Sequence, residues 1–323
     1  MNTQPLLSIK NLEISTLQDP RTLVNNVSFD IRPGEAVGIV GESGSGKTLT
    51  ALSILGLLPR GVGVVNGEIT FDGENLLTLK HEDLRKIRGN EIAMIYQDPM
   101  TALNPVMKLG RQLLEVIDSH EGINPDSDNR VRALLLEVGI PDVNRAMESY
   151  PHEFSGGMRQ RIMIAMALLL SPKLLIADEP TTALDVTIQQ QILALVSDER
   201  RKRKMSMLWI THDLGVVANL VDRLNVMYAG RIVETGTVKE IFRKPKHPYT
   251  AGLLSSLPVS TGIDRERLTS IAGVPEKPWL VGKSCGFAAR CSRAQVRCHN
   301  EIPVPVVTGE RAVACFFPIG GSV

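Results

Sequence analysis

Eight consecutive residues, Gly41-Glu42-Ser43-Gly44-Ser45-Gly46-Lys47-Thr48, match the spacing G-x-x-x-x-G-K-[ST] and follow directly on the apolar run Ala36 to Val40. That context, a strand before and a helix after, is what a phosphate-binding loop requires. The glycines let the backbone bend so that successive N–H groups and a helix N-terminus face an anion, and Lys47 adds a positive charge. The Thr48 hydroxyl suits Mg²⁺, a hard cation that takes oxygen ligands. A second run, Leu174-Leu175-Ile176-Ala177-Asp178-Glu179, reads as an apolar strand delivering two carboxylates at its C-terminal end, the edge where open α/β sheets bind ligands. Asp178 can hold the metal through its water shell, leaving Glu179 to polarise a water for in-line attack. Alone, an Asp-Glu pair before Pro180 would read as a helix cap; beside a phosphate loop the catalytic reading is the better one.

The elements that must position these residues are legible in the apolar pattern. Ala36 to Val40, Leu174 to Ala177 and Met207 to Ile210 are almost continuously apolar, as central strands of a parallel sheet covered on both faces are. Alternation at Val27, Phe29 and Ile31, and at Ile69 and Phe71, predicts half-buried antiparallel strands, with turns at Gly67 and Asp72-Gly73. From about Asp98 to Leu170, helical spacing at Leu113, Val116 and Ile117 and at Leu134, Leu135 and Val138 predicts a helical insertion. Arg223 to Glu234 reads as a hairpin turning at Ala229-Gly230. Beyond it Pro245, Pro248, Pro258, Pro275 and Pro278 break any regular pattern, so a separate C-terminal unit is expected from near residue 245.

Composition narrows the function. The 323 residues carry 36 Lys plus Arg against 35 Asp plus Glu, a net charge of +1, which gives no general reason to expect a polyanion partner. The run Arg200-Arg201-Lys202-Arg203-Lys204 ends a predicted helix, where cations complement the dipole, so nucleic acid is not expected. With 43% hydrophobic and 22% charged residues, dominant disorder is excluded. The longest apolar stretch, Ile162 to Leu170, falls well short of a membrane span, and Met1 to Pro5 lack the features of a secretory signal. A cytoplasmic placement is the expectation.

Over residues 6 to 243 the motifs, in their order, resemble the ATP-binding subunits of ATP-binding-cassette transporters. Besides the Walker A and B elements above, Ser155-Gly156-Gly157 followed by Met158-Arg159-Gln160-Arg161 is similar to the family signature, although Phe154 and Met158 stand where the commonest form has Leu and Gln. The resemblance implies that this helix start contacts the γ-phosphate held by an opposite subunit in a head-to-tail dimer. It also implies that Gln97 is the Q-loop residue sensing Mg²⁺ and water, that His212 is the switch histidine, and that Asp185 of Ala183-Leu184-Asp185 lies at the dimer interface. Catalysis would rest on Glu179, His212, Lys47 and Gln97, and Mg²⁺ on Thr48, Gln97 and Asp178. The implied fold is an α/β phosphate-loop NTPase core with an N-terminal antiparallel β subdomain and a helical subdomain at about 98–170, the ATP-binding part covering residues 1–245. No aromatic residue precedes Phe29, and Thr16 and Leu17 occupy the neighbourhood where the family stacks the adenine; weaker stacking is expected.

Residues 246–323 read as an extension. Lys246-His247-Pro248-Tyr249-Thr250 followed by Leu253-Leu254 resembles the C-terminal segment of oligopeptide, dipeptide and nickel importer ATPases. All the cysteines, Cys285, Cys291, Cys298 and Cys315, gather near the C-terminal end. In a cytoplasmic protein such clustering favours metal ligation over disulfides. The spacings are longer than those of zinc ribbons, so a four-cysteine iron–sulfur cluster is the preferred reading, zinc or reduced thiols being the alternatives. Some ATPases with this extension hold such a cluster, and the resemblance agrees. Arg290, Arg293 and Arg297 would either offset thiolate charge or face solvent. The function implied is ATP hydrolysis energising an importer of di- or oligopeptides, with nickel or another small solute as the alternative and a soluble non-transport ATPase less favoured. Two permeases, a second ATPase that is a paralogue rather than a copy, and indirectly a solute-binding protein would be the partners, at the cytoplasmic face of a bacterial inner membrane.

Overall fold

The computed structural model describes residues 4–182, 184–257 and 271–321. Ala183 and Pro258 therefore lie outside the described residues, as do the first three residues. The chain divides into two compact units, one of Met1–Leu77 with Trp209–Val323 and one of Thr78–Leu208. Residues 246–321 fall within the first.

In the first unit, Leu7–Thr16 is paired antiparallel on both sides, with Thr22–Ile31 and with Val62–Phe71. The register sets Leu7 opposite Ile31 and Phe71, and Ile9 opposite Phe29 and Ile69. These six side chains share one face and all are buried, which is why the alternation was visible in the sequence. A second set of strands carries the phosphate loop. Ala36–Val40, buried throughout, runs parallel to Arg223–Tyr228 with Val37 opposite Arg223 and Val40 opposite Val226. Arg223–Tyr228 pairs antiparallel with Arg231–Thr237 across Ala229 and Gly230, both at positive φ as a two-residue hairpin turn of this hand demands. Arg311–Val313 and then Val306–Thr308 continue outward. The Arg223 guanidinium joins the two sets, donating to Glu35 Oε1 at 3.0 Å and to the Asp30 carbonyl at 2.6 Å.

The extension is docked by one buried carboxylate. Glu234 has no exposed surface, and it accepts from the backbone N–H groups of Lys246 (2.8 Å) and His247 (2.9 Å) and from Arg311 Nη2 (2.5 Å). His247 then caps the helix Pro248–Ser255, its Nδ1 accepting from the Tyr249 N–H at 3.1 Å, with proline in the first turn where its missing donor costs nothing.

In the second unit Ile92–Ile95 and Leu174–Asp178 are parallel, Ile92 opposite Leu174 and Ile95 opposite Ala177. The predicted helical stretch contains the helices Leu109–Asp118, Ser127–Glu137, Val143–Glu148 and Gly156–Leu168. Leu113, Ile117, Leu134 and Leu135 are buried at the predicted spacing. Helix Val186–Arg203 ends in the basic run, three of whose cations are ion-paired: Arg203 donates to Glu199 (2.7 Å) and Glu137 (2.9 Å), Lys202 pairs with Glu137, and Arg201 with Asp198. Strand Ser206–Thr211 spans the boundary between the units.

His247 makes the docking acid-sensitive. Burial holds its pKa down to about 3, against an ordinary 6.5. Between those values the unfolded chain binds the proton and the folded chain does not, so stability is lost as pH falls below about 6.5. By linkage the loss amounts to about 2 kcal/mol between pH 7 and pH 5. Thermal melting should show this fall, and His247→Asn, which keeps a capping acceptor, should flatten it; an unchanged slope in the variant would remove His247 from the account.

Candidate functional site

The phosphate loop occupies the turn from Ala36–Val40 into helix Lys47–Ile54. A Cβ at Gly41 would lie 2.1 Å from the Met227 carbonyl oxygen, so the loop crosses the neighbouring strand where only glycine fits. Gly46, at φ +100°, is the N-cap of the helix, and no atom lies within 4 Å of where a Gly44 side chain would begin. The loop is therefore open at Gly44. Lys47 is almost wholly buried, and its Nζ donates to the carbonyls of Gly41 (2.8 Å) and Glu42 (3.0 Å). Ser45 Oγ is buried with no hydrogen-bond partner. Ser43, Gly44 and Thr48 are exposed.

Two contacts to this loop were not legible in the sequence. The Glu42 N–H donates to Tyr249 Oη at 3.0 Å, and the Glu42 carboxylate receives Arg290 Nη1 at 2.6 Å and Nη2 at 3.0 Å. Arg290 thus neither faces solvent nor lies free beside the thiols. His212, also in this unit, is exposed just past Ser206–Thr211. Leu17, exposed at 59%, extends from the end of Leu7–Thr16, where the Thr16 hydroxyl instead accepts from the Arg21 N–H at 2.9 Å.

In the second unit Asp178 is buried and Glu179 half-buried at the end of their strand. Glu179 has φ +46°, a conformation that costs a non-glycine residue about 1 kcal/mol or more. The kink turns its carboxylate toward two donors, Gln97 Nε2 at 3.4 Å and the Thr182 hydroxyl at 3.1 Å. The structure thus brings Gln97 to Glu179 and adds Thr182, which the Thr-Thr after Asp-Glu-Pro could have suggested. Ser155 caps helix Gly156–Leu168, its Oγ accepting from the Met158 N–H at 3.4 Å. Ser155 is exposed, and no atom lies within 4 Å of a Gly156 side-chain position. At Gly157 a Cβ would meet Ile188 Cγ2 at 2.9 Å, so this glycine serves helix packing. The Asp185 carboxylate caps helix Val186–Arg203, accepting from Thr187 (3.1 Å) and Ile188 (2.9 Å).

The four cysteines line one cavity of the first unit, with His247, Phe287 and Arg293 among its walls. Among the described residues no group of three or more His, Cys, Asp or Glu side chains converges as a single metal ion would need. Three backbone N–H groups, of Phe287, Arg293 and Phe317, donate to the sulfurs of Cys285, Cys291 and Cys315. Burial, with smaller like-charge contributions from one another, raises these thiols, Cys285 to about 11. As thiols they are therefore protonated at neutral pH, and thiolates there call for a cation.

A family profile described as "ABC transporter" matches residues 24–182, and one described as "Oligopeptide/dipeptide transporter, C-terminal region" matches residues 233–298. The oligopeptide transport ATP-binding protein of Bacillus subtilis is 52% identical over 293 residues, 90% of this chain and 82% of that one. The chain belongs to the ABC transporter family. The Salmonella typhimurium oligopeptide transport ATP-binding protein is 46% identical, covering 97% of this chain and 94% of its own. Among solved structures, cbiO1 of Clostridium perfringens aligns with a TM-score of 0.65 at 25% identity, over 74% of this chain and 90% of that one. The cassette MJ0796, in a dimer bound to ADP and phosphate, gives 0.64 at 26%, over 72% and 98%. The ABC match takes in the phosphate loop, Gln97, the signature and both carboxylates. The C-terminal match takes in Glu234, Tyr249, Arg290 and all of the cysteines but Cys315.

As an ABC cassette the chain is an ATP-binding ATPase that uses Mg²⁺, and Thr48 and Asp178 offer the hard oxygen donors this ion takes. The Gly41 crossing gives a direct test. Gly41→Ala should cost about 1–3 kcal/mol in denaturant unfolding, because backbone rather than a flexible side chain must move; an unchanged midpoint would show that the loop does not cross the strand this closely.

Proposed function

We propose that the chain is the energy-coupling ATPase of a di- or oligopeptide importer. The observation that carries this reading is the 52% identity, over 90% of the chain, to an oligopeptide transport ATP-binding protein; the C-terminal match supports it. Residues 1–245 bind and hydrolyse ATP, and residues 246–323 form the extension. No helix of the described residues is long and apolar enough to cross a membrane. As in the importer ATPases it resembles, the chain works as a peripheral subunit at the cytoplasmic face of a bacterial inner membrane, on two permeases. A solute-binding protein delivers the cargo indirectly. The second ATPase is a paralogue, and the helix start at Ser155, Gly156, Gly157 and Met158, with Asp185, faces the nucleotide held by that partner.

In this reading the loop Gly41, Glu42, Ser43, Gly44, Ser45 and Gly46 cradles the phosphates, and Lys47 neutralises charge on the β- and γ-phosphates. Thr48, Asp178 and Gln97 hold Mg²⁺, which offsets the charge that builds on the phosphate oxygens. Gln97 and Thr182 orient Glu179, whose carboxylate takes the proton of the attacking water as the bond to the β-phosphate oxygen breaks and ADP leaves. His212 contacts the γ-phosphate. Positioning and charge stabilisation supply the rate. Leu17 offers an apolar, non-aromatic platform to the adenine.

Hydrolysis by the transporter assembled in lipid with its solute-binding protein, against di- to pentapeptides, heme and chelated nickel, tests the reading. Peptides should stimulate it, and Glu179→Gln should keep ATP binding while losing at least about 100-fold in turnover. Stimulation by nickel alone would replace the peptide assignment, and substantial turnover in the variant would remove Glu179 as base.

We also propose that Cys285, Cys291, Cys298 and Cys315 hold a [4Fe–4S] cluster. The shared cavity and the three N–H donors support it, since such donors stabilise thiolate sulfur. A bound cluster would cross-link the segment at four points. Protein purified without oxygen should contain about four irons and four sulfides per chain; zinc, or neither metal, would overturn the assignment.

A further inference from the structure

Glu42, at the second position of the phosphate loop, is held at three places. Its N–H is bonded to Tyr249 Oη (3.0 Å), its carbonyl receives Lys47 Nζ (3.0 Å), and its carboxylate is gripped by both terminal nitrogens of Arg290. Two of the three partners come from the C-terminal extension. Arg290 is itself locked: its side chain is 5% exposed, Nε donates to the Ala272 carbonyl at 2.9 Å, Nη2 to the Ile271 carbonyl at 3.2 Å, and Nη1 to Tyr228 Oη at 3.3 Å. A two-point charge-assisted pair in so enclosed a place fixes direction as well as distance. Because the same Glu42 backbone holds Lys47, a displacement of Glu42 displaces the loop's only cation.

We propose that Arg290 is a positioning residue for the phosphate loop: from the cysteine-bearing segment it clamps Glu42, and with Tyr249 it fixes the backbone that aims Lys47 at the nucleotide. Arg290 touches neither ATP nor Mg²⁺ in this account; it acts through Glu42. The inference rests on the ATPase reading only for its kinetic consequence. A clamp that orders the loop before nucleotide arrives strengthens ground-state and transition-state binding alike, so its loss raises KM and leaves kcat nearly unchanged.

The test uses the full chain for loop exchange and the assembled transporter for kinetics. In Arg290→Gln, hydrogen exchange of the Glu42–Thr48 amides in nucleotide-free protein should quicken about tenfold, and KM for ATP should rise about tenfold with kcat within about twofold. Arg290→Lys, which keeps the charge but not the fork, should fall between. Glu42→Gln reaches the contact from the other side, and the double variant should be no worse than Arg290→Gln, because both remove one interaction. A uniform drop in melting temperature with unchanged loop exchange and KM would overturn the proposal, as would additive effects in the double variant. If exchange quickens in the variants while the wild-type chain neither binds nor hydrolyses ATP, the clamp stands and the ATPase reading falls.

Discussion

A cradle of backbone N–H groups binds phosphate well only if its shape exists before the phosphate does, because otherwise binding must bear the entropy of ordering the loop. The tightest constraint on that shape is the passage of Gly41 over the Met227 carbonyl. The parallel register of Ala36–Val40 on Arg223–Tyr228 delivers the chain to this point, and the Arg223 contacts with Asp30 and Glu35 anchor the start of that strand to the antiparallel sheet. Lys47 then folds back onto the carbonyls of Gly41 and Glu42, so that the buried charge is paired with fixed dipoles. Each step leaves fewer directions in which the loop can relax.

The two carboxylates of the second unit stand in different environments. Asp178 belongs to the buried strand, while Glu179 is turned out of it by a left-handed kink and is only half-buried. Gln97 and Thr182 both offer donors to one Glu179 oxygen, Oε2.

What the sequence revealed follows the range of the interactions. The phosphate loop, the strand that delivers the carboxylates, and the alternating faces around Leu7, Phe29 and Ile69 depend on neighbours in sequence, and periodicity carries them. Faces are legible but partners are not: Arg290 and Glu42 stand 248 positions apart, and nothing at either marks the other. Arginines among cysteines read naturally as counter-charges, and only the fold reveals that one of them reaches a different element. Asp185 shows the converse, since a residue read from its motif as an interface group also caps its own helix. The kink at Glu179 was hidden because glycine, the usual marker of positive φ, is absent there.

The extension is best understood through what its polar groups would cost if unmet. Glu234 is fully buried, and an unpartnered carboxylate there would be expensive, so the Lys246 and His247 N–H groups and Arg311 must converge on it. Their convergence sets the start of helix Pro248–Ser255. That start brings the fully buried Tyr249 ring against Tyr228 and Phe287, with centroids 4.6 and 5.3 Å away, and leaves the Tyr249 hydroxyl at the Glu42 N–H. Phe287 lies between Cys285 and Arg290 in sequence, so one aromatic cluster packs both the helix that carries Tyr249 and the turn that carries Arg290. The two groups that hold Glu42 therefore share a single packed base, and the docking of the extension on Arg231–Thr237 and the shape of the phosphate loop are parts of one structural problem.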